Sequence, residues 1–185
     1  MAFASAKKQA SPLDEQALYD YALRSLGRRM RTEAELRRLM QSRVEPGEPG
    51  QAKMAAVLVR LKEYRYLDDT AYAADYTRLK QENARLGRRR VAQDLKGKGV
   101  ASEIIADALD HAYEEVNEEA LAREHLDRKG VREPSNDKES ARVMRMLLRA
   151  GFSMGTIYKL LKNWNVSEEA LASIPENEHD AEPES

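Results

Sequence analysis

The sequence contains no cysteine. Disulfide staples, thiolate zinc sites, iron–sulfur clusters and cysteine nucleophiles are therefore all excluded. It has only three histidines, at 111, 125 and 179, and no two of them form a ligand pair at helical spacing. His111 and His125 read as exposed or edge residues. No glycine-rich phosphate loop is present. Gly97-Lys98-Gly99 has the wrong spacing for one and reads as a helix stop. No Gly-x-Ser-x-Gly nucleophile elbow occurs. Long apolar runs are missing too: the longest, Met54–Val59, falls far short of the ~20 residues that cross a bilayer. The stretch Met1–Lys8 lacks the apolar segment of a secretory signal, and its lysines follow its apolar part. The expectation is a cytoplasmic, non-catalytic chain without metal, cofactor, membrane or small-molecule substrate.

What is present is charge. Of 185 residues, 34% are charged and 42% hydrophobic, the profile of packed helices with solvated outer faces. The net charge of −1 hides a strong segregation. Residues 20–100 hold 19 Lys and Arg against 11 Asp and Glu, while 101–134 hold 4 against 10. Residues 135–164 return to 6 against 2, and 165–185 carry 7 acids and no base. The long basic region attracts polyanions, whether nucleic acid or an acidic protein face. The acidic tail, with Pro175 and Pro183, has the composition of a disordered segment.

Helical spacing dominates and strand alternation is absent. Ser11-Pro12-Leu13-Asp14 predicts a first helix, with Ser11 as its cap, proline in the first turn and Leu18, Ala22 and Leu26 following at intervals of four. Thr32-Glu33-Ala34-Glu35 is a capping box opening a second. Val44–Gly50, with two Pro and two Gly, predicts a loop. A third helix carries Met54, Val57, Leu58 and Leu61; a fourth begins at Asp68-Asp69 with Tyr72, Ala73, Tyr76 and Leu79. A fifth follows Gly87, a sixth starts near Ser102, and a seventh covers about 117–129. An eighth follows Ser135-Asn136-Asp137, and a ninth follows Gly151-Phe152-Ser153 and ends near Trp164, which reads as core.

These helices repeat. Leu95, Gly99, Val100 and Ile105 align with Leu147, Gly151, Phe152 and Ile157 at an offset of 52, with Val91 on Val143 and Leu109 on Leu161. Thr32, Leu36 and Met40 align with Gly87, Val91 and Leu95 at an offset of 55. The fold expected is all-α: three tandem three-helix repeats stacked into an elongated, curved, right-handed-type helical array. The expected divisions are an N-terminal tail at 1–13, repeats at 14–65, 66–114 and 115–165, and the acidic tail at 166–185.

Two features that could be mistaken for chemistry have simpler explanations. Asp68-Asp69 reads as a helix cap, not a metal pair. Tyr64, Tyr66, Tyr72 and Tyr76 read as core or helix-contact residues in preference to base-stacking ones. The basic clusters remain. Arg24, Arg28, Arg29 and Arg31 lie between the first and second helices; Arg85, Arg88, Arg89 and Arg90 lie between the fourth and fifth. Lys96 and Lys98 follow. Guanidinium forks at corresponding places in two repeats point to phosphate or carboxylate recognition.

The sequence resembles the RecX family, bacterial modulators of the RecA recombinase. The resemblance is carried by Tyr66-Leu67-Asp68-Asp69-Thr70-Ala71-Tyr72-Ala73, by Gly87-Arg88-Arg89-Arg90-Val91 leading to Leu95-Lys96-Gly97-Lys98-Gly99-Val100, by Arg149-Ala150-Gly151-Phe152-Ser153 and by Arg31-Thr32-Glu33-Ala34-Glu35-Leu36. It covers about residues 14–164. It implies three tandem three-helix repeats, binding in the groove of the RecA–DNA filament, and inhibition of RecA's ATPase and strand exchange in homologous recombination and DNA repair. It also implies no catalytic site of the chain's own. On this resemblance the ten cationic residues named above are the expected contacts to RecA, with weak, sequence-independent DNA contact. The other reading of the same residues is an autonomous DNA-binding protein using helix–turn–helix-like basic helices. The Pro/Gly insertion at 45–50 and the acidic tail depart from the family pattern.

Overall fold

The computed structural model describes residues 11–164 and 166; the remaining residues, including most of the acidic tail and His179, lie outside the described residues. Among those described there are nine α-helices and no strand. They are α1 Glu15–Leu26, α2 Glu33–Gln41, α3 Glu48–Glu63, α4 Asp69–Ala84, α5 Arg88–Gly97, α6 Ser102–Tyr113, α7 Glu118–Arg128, α8 Asp137–Arg149 and α9 Met154–Asn163. The expected all-α repeat fold is what the chain adopts.

Most of the helix starts follow from side-chain caps. Thr32 and Glu35 form a reciprocal box at α2, and Asn117, Asn136 and Ser153 cap α7, α8 and α9. Asp68 Oδ1 accepts from the amides of Thr70 and Ala71, both at 2.9 Å, as a capping aspartate should. Two starts differ from expectation. The cap of α1 is Asp14 rather than Ser11, because Asp14 Oδ1 reaches the Ala17 amide at 2.8 Å. Helix α3 begins inside the expected loop, at Glu48, since Pro49 in a first turn sacrifices no helical hydrogen bond. Gly50 is buried there, and a Cβ on it would lie 1.9 Å from the Glu45 carbonyl oxygen, so no larger residue fits.

The chain forms two compact units. One comprises residues up to Tyr76 together with Asp94–Ala108; the other comprises Thr77–Gln93 and everything from Leu109 onward. The first unit buries Leu18, Leu36, Met40, Leu58 and Leu61. The second buries Leu126, Leu147, Phe152, Ile157, Leu160 and Leu161. Helices α4, α5 and α6 each run from one unit into the other.

The residues aligned by the repeat occupy equivalent positions. Val91, Leu95, Val100, Ile105 and Leu109 are buried, as are Val143, Leu147, Phe152, Ile157 and Leu161. The glycines between them do the same work twice. Gly99 (φ 78°) and Gly151 (φ 87°) close α5 and α8 in left-handed turns. Each turn lies against the start of an earlier helix. The Thr32 hydroxyl donates to the Lys98 carbonyl at 2.7 Å, and the Gly87 amide donates to the Ala150 carbonyl at 2.8 Å. The approach leaves no room for side chains. A Cβ on Gly99 would fall 2.4 Å from Ala34 Cβ, and one on Gly151 would fall 2.2 Å from the Arg90 nitrogen.

Three expectations about the core are corrected. His125 is 5% exposed, not an edge residue. Its Nδ1 lies 3.1 Å from the Ala84 carbonyl, which can only accept, so the proton sits on Nδ1. Its ring stands edge-on to Phe152. Leu79 is exposed. Tyr72 is buried and Tyr76 half-buried, but Tyr64 and Tyr66 are 62% and 56% exposed. Trp164 packs half-buried against the second core.

Gly151→Ala should lower unfolding stability by about 3 kcal/mol, because it combines left-handed strain with overpacking. Gly155→Ala, where an added Cβ meets nothing within 4 Å, should be neutral or gain about 0.5 kcal/mol. Urea melts of the two variants check the contrast.

Candidate functional site

The ten cations divide between the two units. Arg24, Arg28, Arg29, Arg31, Lys96 and Lys98 belong to the first, and Arg85, Arg88, Arg89 and Arg90 to the second. Arg24 ends α1, and Arg28 and Arg29 follow in the turn. All three are exposed, with no ion pair to a described residue. Lys96, in the last turn of α5, is equally exposed. Arg31 is half-buried, and its Nε is buried without a hydrogen-bond partner.

Lys98 has a different situation. Its ammonium bonds Glu35 at 3.2 Å and sits 5.7 and 5.4 Å from the ring centres of Tyr72 and Tyr76. Tyr72, and after it Glu35, hold this ammonium above the usual lysine range against opposing burial. The two rings stack 5.9 Å apart, and Tyr76 Oη donates to Asp94 Oδ2 at 3.1 Å. Burial, with Asp94 beside it, pushes the Tyr76 phenol up to about 12. Lys98 is thus a packing element of the first unit, reinforcing the turn whose carbonyl receives Thr32.

Next to it, Asp69 looks backward along the chain. Its Oδ1 accepts from the Glu33 amide at 2.8 Å and so caps α2, not its own helix. Burial raises its pKa, and the Glu33 amide works against that rise. Glu33 itself pairs with Lys62 and, at 2.8 Å, with Arg37; Lys62 is the main reason its carboxyl lies below the ordinary range.

In the second unit, Arg85 occupies a left-handed position (φ 50°) and its Nε meets Glu124 at 2.6 Å. Arg88 pairs with Asp110. Arg89 and Arg90 are exposed, at the start of α5, where the Arg89 amide also donates to the Gly151 carbonyl at 3.3 Å. Arg89 contributes to the electrostatics of Glu118. That carboxylate accepts from the Ser153 amide at 2.8 Å, the Ser153 hydroxyl at 2.6 Å and the Thr156 hydroxyl. Burial works to raise its pKa, but the hydroxyls of Ser153 and Thr156, the Ser153 amide and Arg89 together hold it below the ordinary range. It ties the start of α7 to the start of α9.

Sequence reasoning passed over one further set of cations. Lys138, Arg142, Arg145 and Arg149 are all exposed on α8, whose Val143, Met144 and Leu147 are buried. Their spacing of four, three and four residues was the available signal. The two acids of that helix lie in its first turn, where Glu139 is bonded by Ser135. Among the described residues, no cluster of three or more His, Asp or Glu could hold a metal ion, and no helix is long and apolar enough to cross a membrane.

Three family models match the chain in order: the first three-helix domain of RecX at residues 19–47, the second at 68–109 and the third at 117–161. A regulatory protein RecX of Mycolicibacterium smegmatis is 35% identical over 152 residues, covering 80% of this chain and 79% of that protein. One of Mycobacterium marinum is 33% identical over 147 residues, covering 78% and 82%. A crystal structure of regulatory protein RecX superposes with a TM-score of 0.65 at 27% identity, over 80% of this chain and 71% of that one. RecX from Lactobacillus salivarius shares the fold, with a TM-score of 0.63 at 21% identity, over 82% and 97%.

The depressed Glu118 carboxyl contributes stability that is complete above the ordinary glutamate pKa of about 4.3 and is lost as pH falls through the lower folded value. Glu118→Gln should therefore be less stable than wild type at pH 7, and the gap should close as pH falls from about 5 towards 3. Urea melts across that range measure it; a gap that stays constant would show that ionised Glu118 contributes nothing.

Proposed function

The chain belongs to the RecX family, and on that premise we propose that it is a non-enzymatic cytoplasmic regulator of RecA. It binds the RecA filament on DNA and mainly inhibits its ATPase and strand exchange. The ATP hydrolysed belongs to RecA. The repeats at 14–65, 66–114 and 115–165 are the modules that contact successive parts of the filament. The inhibition is a shift between filament states, and a regulator shifts them only by differential affinity for the two.

The observation that carries the reading, beyond family membership, is the state of the first arginine cluster. Arg28 and Arg29 are exposed and make no ion pair with a described residue. They keep full capacity for bidentate contact with carboxylate or phosphate. Arg24 and Lys96 share that state; Arg85 and Arg88 already have carboxylate partners at Glu124 and Asp110. Arg89 and Arg90 are exposed at the start of α5.

A second reading, autonomous DNA binding, draws on the exposed α8 stripe of Lys138, Arg142, Arg145 and Arg149. It requires tight binding to naked DNA with a steep salt dependence. Binding to naked DNA and to filaments at one salt concentration separates the two.

Wild-type protein should co-sediment with RecA filaments on single-stranded DNA and reduce their ATP hydrolysis. Arg28→Glu/Arg29→Glu should weaken co-sedimentation at least about tenfold while leaving the unfolding midpoint unchanged, since exposed charges outside ion pairs contribute little to stability. Absence of wild-type co-sedimentation, with ATPase unchanged, would defeat the proposal.

A further inference from the structure

Four helix ends among the described residues close in the same way. In each, the residue two places after the last turn donates to a carbonyl five residues back, and the residue before it donates three residues back. At α5, α7 and α8 the left-handed residue of this motif is glycine: Gly99, Gly130 and Gly151. The residue after it is apolar and at least half-buried: Val100, Val131 and Phe152. This is the usual economy of the motif, a residue without Cβ strain followed by a hydrophobic contact.

Helix α3 breaks both rules. Arg65 takes the left-handed position at φ 57°, with its amide bonded to the Lys62 carbonyl at 2.9 Å. Tyr66 follows, its amide bonded to the Leu61 carbonyl at 2.9 Å, and its ring is 56% exposed. Tyr64, on the other side, is 62% exposed, and the two rings lie 6.5 Å apart, tilted by 40°. Arg85 also has positive φ, but its pairing with Glu124 accounts for a side chain there. Arg65 has no such partner among the described residues. A left-handed position that carries a side chain, flanked by two exposed aromatic rings, has no explanation among the described contacts of the fold.

Arg65 also lines a groove of about 970 Å³ in the first unit, with Arg37, Arg38, Lys62 and the acids Glu33, Asp68 and Asp69. Each acid is engaged: Glu33 with Arg37 and Lys62, Asp69 with the Glu33 amide, Asp68 with the first turn of α4. Among the described residues, Arg38 and Arg65 have no carboxylate partner. Four cations against three acids create no single-sign field for a polyanion, and rings tilted by 40° do not match the parallel faces of successive bases. Tyrosine and arginine are the side chains that dominate protein–protein hot spots.

We propose that the Tyr64–Arg65–Tyr66 turn is a protein-docking site, whose partner presents a carboxylate to Arg65 and Arg38 beside a shallow apolar surface that covers the two rings. The partner's identity rests on the functional reading above: it is a RecA subunit of the filament.

The test uses the full chain and four proteins: wild type, Tyr64→Ala/Tyr66→Ala, Arg65→Gly and Arg28→Glu/Arg29→Glu. Arg65→Gly is the discriminating variant, since glycine relieves the left-handed strain. It should raise the thermal midpoint yet weaken co-sedimentation with RecA filaments at least tenfold. The tyrosine pair should weaken it similarly with an unchanged midpoint. Wild-type binding with undiminished binding by both turn variants would overturn this site while leaving the functional reading intact. Loss of wild-type binding would remove the functional reading and the site with it. If the turn variants instead lose binding to a naked dT oligonucleotide in parallel with the filament, the partner is nucleic acid and the protein assignment is wrong.

Discussion

The close approach that Gly99 and Gly151 allow is the constraint on which the rest of the structure depends. Each turn ends one helix, reverses into the next and presses a bare peptide against the start of an earlier helix. The helix that receives it gains an acceptor for a donor its own first turn leaves unused, the Thr32 O–H in one case, whose oxygen already caps Glu35, and the Gly87 N–H in the other. Hydrogen bonding and close packing are therefore satisfied together, at two places related by the repeat. The apolar residues after the glycines, Val100 and Phe152, are then buried, and the stripes that include Ile105 and Ile157 follow them inward.

Around this scaffold, charge is allocated in two ways. Some cations are spent on the fold. Lys98 packs over two tyrosines beside Glu35, and Arg85 holds Glu124 from a strained position. Others, such as Arg28 and Arg29, make no such commitment. The distinction matters because an arginine already paired with a carboxylate has part of its charge and donors engaged, so a second anion gains less from it. Net charge by segment, which made the region from 20 to 100 look uniformly basic, says nothing of this division.

Local rules were legible from the sequence and long-range partners were not. The Thr32 box, the Asp68 cap and the alignment of Gly99 with Gly151 each depend on residues a few places apart, or on a period that repeats. Lys98 meets Glu35 across 63 residues, and no local rule pairs them. His125 departs from the exposed position a polar ring usually takes, because one backbone carbonyl, at Ala84, satisfies its Nδ1–H in the core. Of the four tyrosines, the core or helix-contact reading fits Tyr72 and Tyr76 and fails for Tyr64 and Tyr66. Tyr72 and Tyr76 lie on a helix that packs, whereas Tyr64 and Tyr66 flank a left-handed turn that holds them out. The α8 stripe is legible in its four-three-four spacing, but its cations are dispersed along the sequence and form no contiguous run.

Helices α4, α5 and α6 each belong partly to one compact unit and partly to the other. During synthesis the amino-terminal unit cannot finish when its first seventy-odd residues leave the ribosome, because its remaining portion, Asp94–Ala108, is still unmade. Residues 77–93 emerge in between and must wait for partners that arrive only with the carboxy-terminal half. At about 5–20 residues per second, that interval lasts seconds, long enough for half-built surfaces to meet chaperones. The same interleaving means that no single proteolytic cut can part the two units and leave both intact.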